Sequence, residues 1–251
     1  YMFGGRYQVP LLIRAVVGRS WGQGAQHSQS LQSMFAHIPG LVVFMPATAQ
    51  SILETYPFVT GEYQGPVISL EHRLLYDLDF ELDSDALAAP KMPLTSRKIR
   101  EGKDVTIVAT SIMVLEAQRA ARHLAEFGIE CDVIDMHCVS HPDTDMILSS
   151  VAKTGKLLVA DTSWLNYGVT AEVARIIVSQ DPGLLRAPMK ALGMQPAPCP
   201  TAKTLEDMYY PNLGDFVDAV ATLATGRNDH GVTLPDERSM ADVYKRFKGP
   251  F

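Results

Sequence analysis

Cysteine is scarce in this chain. Cys131, Cys138 and Cys199 are the only three, and no two of them form a Cys-x-x-Cys pair. That spacing offers neither a disulfide framework nor a zinc site, and it makes a reducing, cytoplasmic setting the default. No apolar run approaches the roughly 20 residues that a membrane helix requires. Basic charge is also short: with a formal net charge of −6 and a pI near 5.6, no cationic stripe can replace the counterions of a phosphate backbone. Nucleic acid is therefore not the expected partner. No signal peptide is visible. Tyr1 is not a natural start, so any targeting signal is expected upstream.

What the chain does contain is ordinary for a globular core: 47% hydrophobic and 20% charged residues over 251 positions, enough for two domains. The stretch with most chemical content is Arg14 to Ser30. A run from Val9 to Val17 is apolar on both faces and predicts a strand inside a sheet. Gly18, Gly22 and Gly24 follow, and they let the backbone turn tightly or approach a ligand. Then come Gln26-His27-Ser28-Gln29 and a helix-like segment from Leu31 to Ile38. A strand, a glycine-rich loop and a polar cluster at a helix start is where open α/β sheets place their chemistry. The loop closes on no Gly-Lys-Ser/Thr, and its glycines do not fit Gly-x-Gly-x-x-Gly, which excludes the common nucleotide fingerprints. Histidine with an ordinary pKa of about 6.5 suits proton transfer near neutrality, and Gln26, Ser28 and Gln29 could fix its tautomer. A hydrogen-bonded loop histidine is the competing reading.

The order and spacing of Tyr1-Met-Phe-Gly-Gly5, Val9-Pro-Leu-Leu-Ile-Arg14, Gly24-Ala-Gln-His-Ser-Gln29, Phe35-Ala-His-Ile-Pro-Gly-Leu41 and Met45-Pro-Ala-Thr48 resemble the β subunit of thiamine-diphosphate-dependent 2-oxo acid dehydrogenases, the E1 component of the pyruvate and branched-chain type. The likeness continues through Leu70-Glu-His-Arg-Leu-Leu-Tyr76, Gly102 to Thr110, Val133-Ile-Asp135 and Pro142, and covers roughly residues 1 to 226. It implies an α/β fold of two parallel-sheet domains. These are part of a thiamine pyrimidine-binding domain over 1–80, a linker over 81–103, a transketolase C-terminal-like domain over 104–226, and an extension over 227–251. It also implies a preceding segment carrying the glutamate that contacts the aminopyrimidine ring.

Residue patterns fill in this outline. Leu41–Met45 and Gly65–Leu70 predict short buried strands, with Thr48 capping a helix between them. Glu71-His72-Arg73 reads as an ion-pair cluster facing solvent or a partner. An acidic run from Asp77 to Asp85, with Pro90 and Pro93, reads as connector up to residue 103. Beyond it, strands at 105–109 and near 132–136, 156–160 and 188–192 alternate with helices at 113–127, 143–153, 169–180 and 213–225, the pattern of a parallel sheet. His137, His141, Asp161 and Trp164 have no assigned chemistry. Ser239 to Phe247 could form a short amphipathic helix against a neighbouring subunit.

For function, the resemblance implies a catalytic His27 facing the C2 region of thiamine and acting in acyl transfer to a lipoyl group. Gln26 and Arg14 are candidates for cofactor contact, and Arg19 and Trp21 for the substrate pocket. This chain offers no Asp/Asn loop for the diphosphate and Mg2+, so these would be held by an α subunit. The expected assembly is α2β2, with a second β subunit and a lipoyl acyltransferase as further partners. Pyruvate or a similar 2-oxo acid is the expected substrate. A thiamine-dependent carboligase or acetoin-cleaving enzyme, or a non-catalytic scaffold subunit, are the alternatives. No adjacent His-His pair stands at the loop, which disfavours a transketolase proper.

Overall fold

Apolar strands alternate with amphipathic helices along the chain, and in the computed structural model they assemble into two sheets. The model describes residues 3–19, 22–82 and 93–235. The first sheet holds β1 (Leu12–Val17), β2 (Val42–Phe44) and β3 (Val67–His72), all parallel, in the order β1-β3-β2. Helix α1 (Gly24–His27) and helix α2 (Gln32–Ala36) lie between β1 and β2, and α3 (Ala49–Gly61) joins β2 to β3. The expected cap on α3 is present. Thr48 Oγ1 accepts from the Ser51 amide and Ser51 Oγ accepts from the Thr48 amide, each at 3.2 Å, so two otherwise orphaned donors are satisfied reciprocally.

The second sheet runs β4-β6-β5-β7-β8, with β4 (Arg97–Arg100), β5 (Val105–Ala109), β6 (Cys131–Asp135), β7 (Leu157–Trp164) and β8 (Lys190–Met194). Its crossovers are α4 (Ile112–Ala125), α5 (Thr144–Thr154) and α6 (Val169–Gln180), followed by α7 (Lys203–Tyr209) and α8 (Leu213–Thr225). Strands β5 and β6 are buried along their whole length, as expected of parallel strands covered on both faces. On one face, Leu124 of α4 and Phe216, Val217 and Val220 of α8 pack together at 0% exposure.

Three features depart from the sequence reading. Inside the stretch read as connector, Arg97–Arg100 forms β4, antiparallel to β6 at the sheet edge. Three cations in four residues mask a strand, but each has a carboxylate across from it. Lys98 pairs with Asp132 at 2.7 Å, Arg97 with Glu54 at 2.5 Å and Arg100 with Glu130 at 2.6 Å. Second, β1 begins at Leu12 and is the edge of its sheet rather than an interior strand. Leu11, Ile13 and Val16 are each about half exposed, so the apolar pattern on both faces has no cover among the described residues. Third, α7 has no counterpart in the periodicity. The proposed helix over 239–247 lies outside the described residues.

The two sheets share one core. Val17, Val43, Met45, Ile68 and Leu70 pack in a single cluster with Val108, Ile134 and Met136. Backbone bonds stitch the seam, from the Met45 amide to the His137 carbonyl at 2.8 Å and from the Val139 amide to the Val43 carbonyl at 3.0 Å. His137 is structural. It is fully buried at φ +48°, and its Nε2 lies 2.9 Å from Thr55 Oγ1 and 3.0 Å from the Pro93 carbonyl. Burial lowers its pKa to about 3, so the ring is neutral. Asp161 holds the same seam: its Oδ1 accepts from Gln32 Nε2 at 2.8 Å, and its Oδ2 from Ser163 Oγ at 2.6 Å.

Candidate functional site

The loop between β1 and α2 is shaped by what its glycines touch. Gly18 takes φ +96°, and a Cβ there would fall 2.2 Å from His72 Nε2. His72 forms the loop's floor. It is buried, its Nδ1 accepts from the Leu74 amide at 3.3 Å, and burial with the nearby charges of Arg19 and Arg73 lowers its pKa to about 3. Gly22 takes φ +74° with its backbone against Thr201, where a Cβ would approach the carbonyl oxygen to 2.3 Å. Gly22 therefore rests directly on the second domain. From that base α1 rises for four residues and ends at His27.

Gln26 and His27 are exposed at the end of α1. Ser28 is buried beside the Tyr210 hydroxyl, so it faces the C-terminal domain and not the His27 ring. Downstream, a groove of about 370 Å³ runs between α2 and the end of β7, lined by Ser30, Met34, His37, Trp164 and Tyr167 among others. His27 does not line it. The histidine stands on an open surface.

The other predicted residues separate from it. Arg14, expected at the cofactor, is engaged within this chain by Glu71, with Nε and Nη2 donating to the two carboxylate oxygens at 2.7 and 2.6 Å. Its guanidinium also lies 5.6 Å from the Tyr56 ring centre. Arg19, expected in the substrate pocket, turns inward. It is 5% exposed, with its guanidinium 4.6 Å from the centre of the Tyr210 ring. A flat cation over an aromatic face is favoured once both are desolvated, which accounts for the inward turn. Trp21 lies outside the described residues.

Glu71 is the hub of a network that the sequence reading expected to face solvent or a partner. The side chain is buried and accepts from Tyr76 Oη at 2.8 Å and from Tyr56 Oη, besides Arg14. Burial alone would raise its pKa, but the Arg14 bonds, then those of Tyr56 and Tyr76, lower it to about 2. A depressed carboxylate stabilises the fold above its ordinary value near 4.5, and that contribution is lost as pH falls through about 2. Glu71→Gln is expected to lower unfolding stability at pH 7 by about 1–3 kcal/mol. Urea unfolding between pH 5 and pH 2.5 checks this: the loss in the parent chain should be visibly flattened in the variant.

Among the described residues no three His, Cys, Asp or Glu side chains come together as a metal site, and no helix is long and apolar enough to cross a membrane. The three cysteines are free and buried. Sequence reasoning missed Glu206, Tyr210 and Thr201, which meet the loop from more than 170 residues away.

The fold and the loop have known counterparts. Residues 1–78 match the transketolase pyrimidine-binding domain, and residues 95–215 the transketolase C-terminal domain. The chain is 36% identical over 226 residues to the β subunit of acetoin:2,6-dichlorophenolindophenol oxidoreductase from Cupriavidus necator, covering 90% of this chain and 66% of that one. It is 36% identical to subunit beta-2 of the mitochondrial pyruvate dehydrogenase E1 component of rice, covering 87% and 58%. It is 34% identical to the E1 subunit beta of Rickettsia felis pyruvate dehydrogenase, covering 88% and 67%. The chain thus spans between about three fifths and two thirds of the length of these relatives. A split-gene transketolase described as an inactive β4 tetramer superposes with a TM-score of 0.69 at 25% identity, covering 87% of this chain and 67% of that one. With both domain models in sequence and this identity along nine tenths of its length, the chain belongs to the transketolase-type family of β subunits that includes those of pyruvate dehydrogenase E1 and acetoin oxidoreductase.

Proposed function

We propose that this chain is the β subunit of a thiamine-diphosphate-dependent 2-oxo acid dehydrogenase E1 component, acting on pyruvate or a similar acid and transferring the acyl group to lipoyl. The observation that carries the reading is an exposed Gln26-His27 pair set on a rigid floor in a chain of this family. It is the donor set of one half of a shared site. When bound, thiamine diphosphate supplies the carbanion chemistry that breaks the bond to the carboxylate. His27 is the proton carrier of this chain, because a histidine side chain is suited to give and accept a proton at one position. Gln26 supplies neutral hydrogen-bonding groups beside it. The diphosphate and Mg2+ are assigned to the α subunit, as the family resemblance implies. The half-exposed apolar side chains of β1 support burial against other subunits in an α2β2 assembly. Buried free cysteines support a reducing compartment such as the cytoplasm.

Acetoin cleavage is the second reading, favoured by identity to an acetoin oxidoreductase β subunit equal to that for a pyruvate dehydrogenase. The two are separated by dye reduction in the full-length protein co-expressed with its α partner, supplied with thiamine diphosphate and Mg2+. Turnover with pyruvate, 2-oxobutyrate or a branched 2-oxo acid is the expected result. Turnover with acetoin alone establishes the second reading, and failure to bind the cofactor would leave a scaffold subunit.

A further inference from the structure

The loop that carries His27 is gripped by the C-terminal domain through side chains outside the motif. Arg19 is buried against the Tyr210 ring at 4.6 Å. Glu206, one turn before Tyr210, is fully buried, and neither carboxylate oxygen has a well-formed hydrogen bond among the described residues. Burial raises the pKa of Glu206, while Arg19, Lys203 and the Gly22 amide favour its charged form. The Gly22 backbone rests on the Thr201 carbonyl, and Gly24 on the Thr201 methyl. Ser28, just past His27, is buried beside the Tyr210 hydroxyl. The segment from Arg19 to Ser28 is therefore held at both ends by residues 201–210, and His27 sits between the two holds. A helix of four residues has a single turn of hydrogen bonds and cannot set the direction of a side chain by itself.

We infer that Tyr210 and Glu206 are positioning residues for His27: through Arg19, Ser28 and the glycine loop, the C-terminal domain sets the direction from which the imidazole works. This rests on the reading of His27 as proton carrier. Tyr210 acts through its neighbours in the loop. Its ring fixes Arg19, Arg19 fixes the start of the loop, and the tyrosine hydroxyl lies against Ser28. A shift of about 1 Å at a reacting group costs on the order of 10²-fold in rate, so small slippage at Tyr210 should be legible in turnover.

The test is acylation of a lipoyl domain by the assembled α/β holoenzyme, with pyruvate or whichever 2-oxo acid supports dye reduction. Four variants are compared: Tyr210→Leu, Tyr210→Phe, His27→Ala and the Tyr210→Leu/His27→Ala double. Tyr210→Leu should lower kcat roughly 10–100-fold with KM nearly unchanged. Tyr210→Phe, which keeps the ring under Arg19 but loses the hydroxyl beside Ser28, should recover part of the rate. In the His27→Ala background Tyr210→Leu should cost nothing more, because residues acting through one group are not additive. An equal loss in both backgrounds, an effect on KM alone, or a Phe variant as poor as the Leu one would overturn the inference. Arg19→Met, which removes the cation from the other side of the stack, gives the same reading should Tyr210→Leu not assemble. Failure of both to assemble would make this a folding contact and would also overturn it. Full activity in His27→Ala, by contrast, defeats the reading of His27 itself, and the positioning role falls with it.

Discussion

Acyl transfer to a lipoyl domain is expected to fall by about 10²–10⁴-fold in the His27→Ala holoenzyme, the range that removal of a positioned acid/base costs. The structure argues that the loss will be chemical. His27 is exposed at the end of α1, so its truncation removes little packing, and surface substitutions of this kind usually stay within about 0.5 kcal/mol. Thermal unfolding and subunit assembly should match the parent, and cofactor binding should persist, because Gln26 and the floor built on His72 are untouched. A stopped-flow measurement of lipoyl acylation beside a melting curve checks both halves. A variant that melts early and loses activity in proportion would mean that the histidine is structural.

Gly22→Ala should be strongly destabilising. Gly22 has φ +74°, a conformation that L side chains rarely adopt, and the added Cβ would meet the Thr201 carbonyl oxygen at 2.3 Å. That obstacle is backbone, with no flexible side-chain end to swing aside. Strain in the left-handed region and the clash together should cost about 3 kcal/mol or more. At roughly 2–4 °C per kcal/mol for a chain of this size, the midpoint should fall by about 6–12 °C. Gly61 is the internal control: it closes α3, and nothing lies within 4 Å of a Cβ built there. Gly61→Ala should be neutral or slightly stabilising. Differential scanning calorimetry of the two variants decides it, and equal midpoints would contradict the packing of the loop on residue 201.

Where the sequence spoke plainly, it did so through short-range rules. The helix over 213–225 follows from the spacing of Phe216, Val217, Val220 and Leu223. Thr48 is legible as a cap through another such rule. Strand β4 was hidden because periodicity treats Arg97, Lys98 and Arg100 as solvated, whereas the carboxylates that neutralise them stand 30 to 43 residues away in sequence. At the site, the loop and His27 were legible as a motif, but the fates of Arg14 and Arg19 were not. Each meets one distant partner, Glu71 or Tyr210, and nothing in the local pattern of either arginine announces that partner. The Tyr209-Tyr210 pair ahead of Pro211 was the one available hint, since a buried aromatic pair closing a short helix often anchors something across it.

The proposed function requires that this chain supply half of a shared thiamine site. Calorimetric titration of thiamine diphosphate with Mg2+ tests it most directly, on the full-length β subunit alone, the α subunit alone, and the two combined. The account predicts tight binding only in the mixture, retained there by the His27→Ala variant. Binding by the β subunit alone with the affinity of the mixture would contradict it.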